Sequence, residues 1–519
     1  MFNAAAYFVD RHIEEGREAR IAVECGDRRL SYKDLFDQVN RIGNALKAAL
    51  DVRAEERVLI LMCDGPEMIA AFFGAIKIGA VPVPLNTRWT AADYEFVLRD
   101  SSARVIITSA ELLEAAAPAI ANCKSLRHVV LLGQGVGDRP AGAMSFEALV
   151  TAASPALDAE PTSGDAPAFW LYSSGSTGQP KGCVHLQHDM KVCADAYARG
   201  VLGIREDDRC FSVAKLFFAY GLGNSMYFPF SVGATAILWP GAVTAPTVYE
   251  IIERYRPTLL FSVPTHYAML LAHAVPEREF DLSSIRAAVS AGEALPSAVF
   301  ERFRKRFGID ILDGLGSTEV LHIFISNQPG RVRPGSSGLV VPGYEARLVD
   351  EHGQSVPAGE LGDLVVRGDS TCAFYWNRHE QTKDTISGHW IRTGDKYRQD
   401  EDGFFWFAGR SDDMLKVGGL WVSPAELEHL LLEHPAVHAC GVTGREDQDG
   451  LIKPVAHVVP CPGVEAGSAL VAELQQFARQ RLAEYKRPRW IEFVDALPLT
   501  TTGKVQRFKL RTRTHPHSG

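Results

Sequence analysis

Through the first four hundred residues, short apolar runs alternate with amphipathic stretches, and that alternation restricts the fold more than any other feature. Arg57–Met62 reads as a buried strand, 67–79 as a helix, and Val81–Pro84 as a short edge segment. The strand signal returns at Val105–Thr108, Val129–Leu132, Leu259–Val263 and Ala287–Ser290, with helical spacers between several of them. Strands apolar on both faces and joined by helices predict an α/β fold, with parallel strands covered by helices. From about residue 340 the texture changes. Gly343–Val349 and Gly362–Arg367 alternate with turn residues, which predicts a small β-rich subdomain. The polar stretch Gly409–Asp413 follows the aromatic strand Phe404–Phe407 and marks a domain boundary. The expectation is an N-terminal domain over 1–410, with mainly parallel sheets flanked by helices plus the β-rich subdomain. A small, mobile α+β C-terminal domain is expected over 411–519, with helices at 424–433 and 469–482.

Composition narrows the class of partner. Lysine plus arginine total 54 against 63 acids, a net charge of −9 that argues against nucleic acid or an anionic membrane. The nine cysteines are scattered and form no CxxC, so a reduced compartment is expected, without a zinc site or a disulfide framework. The apolar stretch Ile69–Leu85 is broken by Lys77, Pro82 and Pro84, and the N-terminus lacks the layout of a signal peptide. The expected location is the cytoplasm. The oligomeric state is left open, a homodimer included.

The segment Tyr172–Gly182 packs five hydroxyl side chains, three glycines and a lysine into eleven residues, directly after the apolar Phe169–Leu171. Glycines let backbone N–H groups turn inward around an anion, hydroxyls add donors, and Lys181 adds a point charge. Such a loop suits a triphosphate, although its spacing is not that of a Walker A loop. A flexible Ser/Gly linker is the plain alternative, but a linker has no use for the closing Gln179-Pro180-Lys181-Gly182. A second basic feature lies in the tail, where Tyr485 to Thr514 holds eight Lys/Arg against Glu492 and Asp495. That tail is either a solvated surface or a seat for phosphates.

The loop resembles the phosphate loop of the adenylate-forming superfamily, which includes acyl-CoA synthetases, peptide-synthetase adenylation domains and luciferases. Further signatures follow in the same order from about residue 20 to 511. Gly316-Ser317-Thr318-Glu319 is similar to the motif whose threonine meets the adenylate phosphate and whose glutamate holds Mg²⁺. Trp390–Asp395 resembles the TGD motif that binds ribose, Gly409–Asp413 the hinge, and Pro498–Lys504 the catalytic-lysine motif. The resemblance implies catalytic roles for Lys504, Thr318 and Glu319, with Glu319 the metal ligand and Asp412 the hinge pivot. It assigns ATP or AMP to Ser173, Ser174, Gly175, Ser176, Thr177, Gly178, Lys181, Gly292, Glu293, Asp313, Gly314, Asp395 and Arg410. ATP, Mg²⁺ and coenzyme A are the implied cofactor and co-substrates. Singly, each motif has a bland reading: a surface glutamate, a turn-capping aspartate, a solvated lysine.

Within the superfamily, Ala214–Asn224, Ser290–Pro296 and Gly316–Phe324 are very similar to the benzoate–CoA ligase group. So are Gly394–Tyr397, Asp412–Val417 and Gln506–Arg511. The implied activity is ATP-dependent ligation of benzoate or a substituted benzoate to CoA, releasing AMP and pyrophosphate. An alicyclic or aliphatic acid, or a carrier-protein thiol as acceptor, are the alternatives. The implied aryl pocket comprises Ala219, Tyr220, Phe261, Ala291, Gly316, His322 and Ile323. Tyr220 and His322 are read as pocket residues, and Phe261 stays open between pocket and core. Arg88, Gly418, Gly419, Tyr485 and Arg487 are implied to meet CoA. The chain departs from the group at His266, Trp421 and Gln187–Lys191. His266 either faces the substrate ring or is an internally satisfied core histidine, the latter being the reading preferred.

Overall fold

The computed structural model describes residues 1–133, 140, 142–174, 179–273, 280–411, 413–417, 420–448, 451–499 and 505–513. Five parallel strands form the first sheet, in the order Val81–Pro84, Arg57–Leu61, Val105–Ser109, His128–Leu132, Met144–Ser145. The helix Pro66–Lys77 joins the first pair, and Met68 to Ile76 are almost wholly buried. The expected strands therefore sit within a residue or two of the observed ones, and Val81–Pro84 is indeed an edge.

A second sheet has nine strands. Its six central strands run parallel in the order Ile311–Gly316, Ala287–Ser290, Leu259–Ser262, Arg209–Ser212, Thr235–Leu238, Ile21–Cys25. Antiparallel strands close both edges: Ile323–Ser326 with Leu339–Val340, and Arg28–Ser31. The β-rich subdomain is an antiparallel sheet of Glu345–Val349, Gly362–Arg367, Trp390–Gln399, Ile386–Ser387 and Phe405–Arg410. Beyond it, Val437–Glu446, Ile452–Pro460 and Trp490–Phe493 form a separate sheet with its own apolar cluster around Val442, Ala456, Leu427 and Leu474. The helices Pro424–Leu432 and Ser468–Arg479 cover it, close to their expected bounds. Among the described residues no helix is long and apolar enough to cross a membrane.

Buried polar groups lock the pieces together. Asn3 Nδ2 donates to the carbonyls of Ile76 and Glu160, each at 3.1 Å. The Lys77 ammonium, fully buried, donates to Asp10 Oδ1 at 2.7 Å and to Asn40, so the first helices cannot leave the sheet without stranding a charge. In the C-terminal part, Arg507 reaches Glu428 at 2.6 Å and Asp413 at 3.0 Å, and Arg511 meets the other Asp413 oxygen at 2.9 Å. Glu428 also accepts from the Val442 amide at 2.7 Å, which ties the last helix, Arg507–Arg513, to the sheet.

His12 carries a pH dependence that follows from its partners. Its buried Nε2 donates to the Phe230 carbonyl at 2.7 Å, and Nδ1 accepts from Arg17 Nε at 2.8 Å. A second ring proton would face an N–H donor, and burial pushes the pKa down to about 4. The folded value lies below the ~6.5 of a free histidine, so the unfolded chain takes up the proton first. The stabilisation is complete above pH ~6.5 and is lost on the way down to about 4. Thermal unfolding midpoints are expected to fall across that window, and His12→Asn to flatten the decline; an unchanged slope would refute the assignment.

Candidate active site

The phosphate-loop segment is a β-hairpin. Pro167–Ser174 pairs antiparallel with Pro180–Leu186, setting Ser173 opposite Lys181 and Tyr172 opposite Gly182. The apolar residues before the loop form the first strand, and Phe169, Trp170 and Leu171 bury on both faces. Gly175, Ser176, Thr177 and Gly178 lie outside the described residues, as does the side chain of Ser174. A third strand, Phe374–Tyr375, adds to the hairpin by pairing with Val184 and Cys183.

Around this hairpin the structure gathers Lys181, Thr318 and Glu319. The Lys181 ammonium lies 4.5 Å from the centre of the Tyr375 ring. Tyr375 in turn donates its hydroxyl to Glu319 Oε1 at 2.8 Å. Burial, and then the Glu319 charge, pushes that hydroxyl far above the ordinary tyrosine range, so it remains a donor. Glu319 is held at its backbone as well, since its carbonyl accepts from the Cys372 amide at 2.7 Å. Thr318 is fixed by a clamp that the sequence did not reveal. His185, four residues past Lys181 and fully buried, contacts the Thr318 carbonyl through Nε2 and Asp189 Oδ2 through Nδ1, both at 2.8 Å. The ring is thereby held between two oxygens, which fixes its orientation. Asp189 is also fully buried and takes the Leu186 amide at 3.0 Å.

On a neighbouring edge, Asp395 and Arg410 stand opposite each other on paired strands, joined at 3.0 Å. Arg410 also donates to the Thr393 carbonyl at 3.1 Å. Gly394, at φ +75°, lets the guanidinium pass: a Cβ there would come within 2.8 Å of Arg410 Nη2. Asp412 lies outside the described residues. Asp313 and Gly314 sit on the strand Ile311–Gly316, where burial pushes the Asp313 carboxyl well up and the Leu295 amide donates to it at 3.3 Å. Gly292 and Glu293 follow the strand Ala287–Ser290, and Thr265 reaches Glu293 at 3.5 Å.

The expected aryl-pocket residues converge from four segments. Tyr220 anchors its hydroxyl on the carbonyls of Ser262 and Val289, at 3.2 and 3.3 Å. Its ring stands edge-on to Phe261 at 6.4 Å, with the His322 ring 5.5 Å away. His322 Nε2 donates to Asn224 Oδ1 at 3.1 Å and the Tyr220 carbonyl at 3.3 Å, which leaves Nδ1 as a lone pair with no partner among the described residues. Burial pushes its pKa down to about 3, so the ring is neutral. Phe228 and Tyr197 complete an aromatic surround. Gly223 is required there, because a Cβ would lie 2.4 Å from His322 Cδ2. Ile323 pairs with Gly316 across adjacent strands, and Ala219 and Ala291 are buried small residues beside Tyr220 and Gly292. Phe261 is wholly buried.

His266 departs from its preferred reading. Its Nδ1 is buried yet has no partner among the described residues, so it is not an internally satisfied core histidine. Burial, and then the charge of exposed Arg88, lowers its pKa. Arg487 spends part of its guanidinium internally, donating to the carbonyls of Leu482 at 3.0 Å and Arg479 at 3.4 Å. Tyr485 is half-buried on the preceding turn. Gly418, Gly419 and Lys504 lie outside the described residues.

This arrangement has known counterparts. The AMP-binding enzyme family matches residues 9–376, and the C-terminal domain of AMP-binding enzymes matches 426–504. The chain belongs to the AMP-binding enzyme family. A benzoate–CoA ligase of Thauera aromatica is 48% identical over 512 residues, covering 98% of this chain and 96% of that protein. Among solved structures, an anthranilate CoA ligase in complex with anthranoyl-AMP superposes with a TM-score of 0.93 at 43% identity, covering 99% of this chain and 97% of its own. A benzoate CoA ligase from Burkholderia xenovorans LB400 gives 0.89 at 44% identity, with 98% and 100% covered.

Of the residues the sequence passed over, Tyr375 and the His185–Asp189 pair matter most to this AMP-binding enzyme. Replacing His185 with leucine strands the Asp189 carboxylate and the Thr318 carbonyl in the interior. A loss of about 3–5 kcal/mol is expected, the scale for breaking one partner of a buried pair. Asp189→Asn should cost less, since the amide oxygen still accepts. Unfolding midpoints of both variants against the parent check this, and equal small effects would refute the clamp.

Proposed function

We propose that the protein is an AMP-forming ligase that joins an aryl carboxylate, benzoate or a substituted benzoate, to coenzyme A. The observation that carries this reading is the meeting of Tyr220, Phe261 and neutral His322 in an aromatic surround, beside a segment Phe217–Tyr220 that carries no acid to pair an α-amino group. The end-to-end identity with a benzoate–CoA ligase supports it. The unpartnered Nδ1 of His322 favours, as second substrates, rings bearing a hydroxyl or amino donor.

A carboxylate is a poor acylating agent because oxide leaves badly. Attack on the α-phosphate of ATP gives an acyl-adenylate, from which AMP departs when the CoA thiol attacks. The first step needs in-line positioning and neutralised charge more than an acid or a base. In this reading the hairpin loop and Lys181 hold the phosphates, Thr318 orients the reacting phosphate, and Asp395 takes the ribose hydroxyls. Glu319 fits Mg²⁺, a cation bound by one or two carboxylates together with substrate phosphates, and among the described residues no cluster of three metal-binding side chains offers a rival cage. Bound there, the ion would neutralise charge on the polyphosphate. Lys504 would bridge carboxylate and phosphate in adenylation alone. The division at 410/411, with Asp412 as pivot, would let the C-terminal domain withdraw Lys504 and bring the Gly418–Gly419 face, with Arg88, Tyr485 and Arg487, to CoA. Such alternation keeps water from the adenylate before the thiol arrives. A reducing cytoplasm suits the nine free cysteines.

Three measurements test the reading. A panel of benzoates, cyclohexanecarboxylate and fatty acids, read as acyl-CoA, should single out benzoates with AMP and pyrophosphate as co-products; ADP would overturn it. Lys504→Ala should slow adenylation about 10²–10³-fold and leave thioester formation from supplied aroyl-AMP nearly unchanged. Asp412→Pro should hurt CoA transfer more than adenylation. Parallel losses in both half-reactions would count against the two-face scheme.

A further inference from the structure

Tyr375 touches two groups of opposite charge. Its hydroxyl donates to Glu319 at 2.8 Å while its ring carries the Lys181 ammonium at 4.5 Å. The residue itself has little freedom: it is buried, its strand is paired to Val184 and Cys183, and its amide donates to Thr382 Oγ1 at 3.1 Å. Lys181 and Glu319, both half-buried, attract each other, and a direct ion pair would cancel the charge that each must offer to a polyphosphate and its cation. Resting on the adenylation reading above, we propose that Tyr375 is a positioning residue that holds Lys181 and Glu319 apart until ATP arrives. The ring face takes the ammonium by cation–π attraction, and the hydroxyl fixes one carboxylate oxygen and thereby the direction of the other.

The two halves of this role separate by substitution. Tyr375→Phe keeps the ring and removes the donor; Tyr375→Leu removes both. ATP binding is measured by calorimetry without aryl acid, so no turnover occurs, at limiting and at saturating Mg²⁺, with unfolding midpoints alongside. For Tyr375→Phe, the Mg²⁺ needed for half-maximal ATP binding should rise about tenfold, as befits one hydrogen bond to a charged group, while ATP affinity at saturating Mg²⁺ stays near that of the parent. For Tyr375→Leu, ATP affinity should also fall at saturating Mg²⁺, because Lys181 then closes on Glu319. A parental Mg²⁺ dependence in Tyr375→Phe, identical behaviour of the two variants, or equal loss at every Mg²⁺ level with a lowered midpoint each overturns the proposal. Glu319→Gln distinguishes the layers. If it leaves the Mg²⁺ dependence unchanged, the metal assignment fails; if it alone raises it, only the role of Tyr375 fails.

Discussion

A parallel strand cannot hand the chain to its neighbour by a tight turn, and the rest of the molecule follows from that constraint. Each crossover must travel back over a face of the sheet, so helices such as Pro66–Lys77 end up buried on nearly every side. All parallel strands then end at the same edge, where their next residues are free of the hydrogen-bond ladder. Ser212 to Ala214, Ser262 to Val263 and Ser290 to Gly292 leave three adjacent strands side by side, bringing together residues far apart in sequence. Tyr220 closes this row by placing its hydroxyl on the carbonyls of Ser262 and Val289.

The site is completed by groups that reach it from outside the parallel sheets. The hairpin supplies Lys181 and, through His185, a grip on the Thr318 carbonyl. The segment before Trp376 supplies Tyr375, and the antiparallel sheet supplies Asp395 with Arg410. Each is held by a specific polar or cation–π contact rather than by apolar packing alone. Such contacts demand defined distances, whereas apolar contacts tolerate small slips.

Much of this was legible in the sequence, for a physical reason. Strands apolar on both faces, such as Val105–Ser109, advertise themselves without reference to any partner. The segment around Lys181 stood out because its glycines, hydroxyls and lysine suit an anion. Tyr375 did not, because Phe374-Tyr375-Trp376 reads as one more apolar run and the carboxylate that gives it meaning is 56 residues away. His185 hides likewise, its partner Thr318 lying 133 residues on. His266 was misread because burial is a pattern in sequence, whereas an unpartnered nitrogen is a property of the assembled interior.

The Arg507 cluster has a mechanical meaning. Asp413 is bound by both Arg507 and Arg511, and Arg507 is bound again by Glu428 on the helix Pro424–Leu432. The chain entering the C-terminal part and the chain leaving it are thus riveted to one helix. A torsion applied just before Asp413 would be transmitted to the segment ahead of Arg507 without slack, as through a stiff crank. Elastic give would be confined to the bonds ahead of Asp413, so the two segments would turn as one piece or not at all.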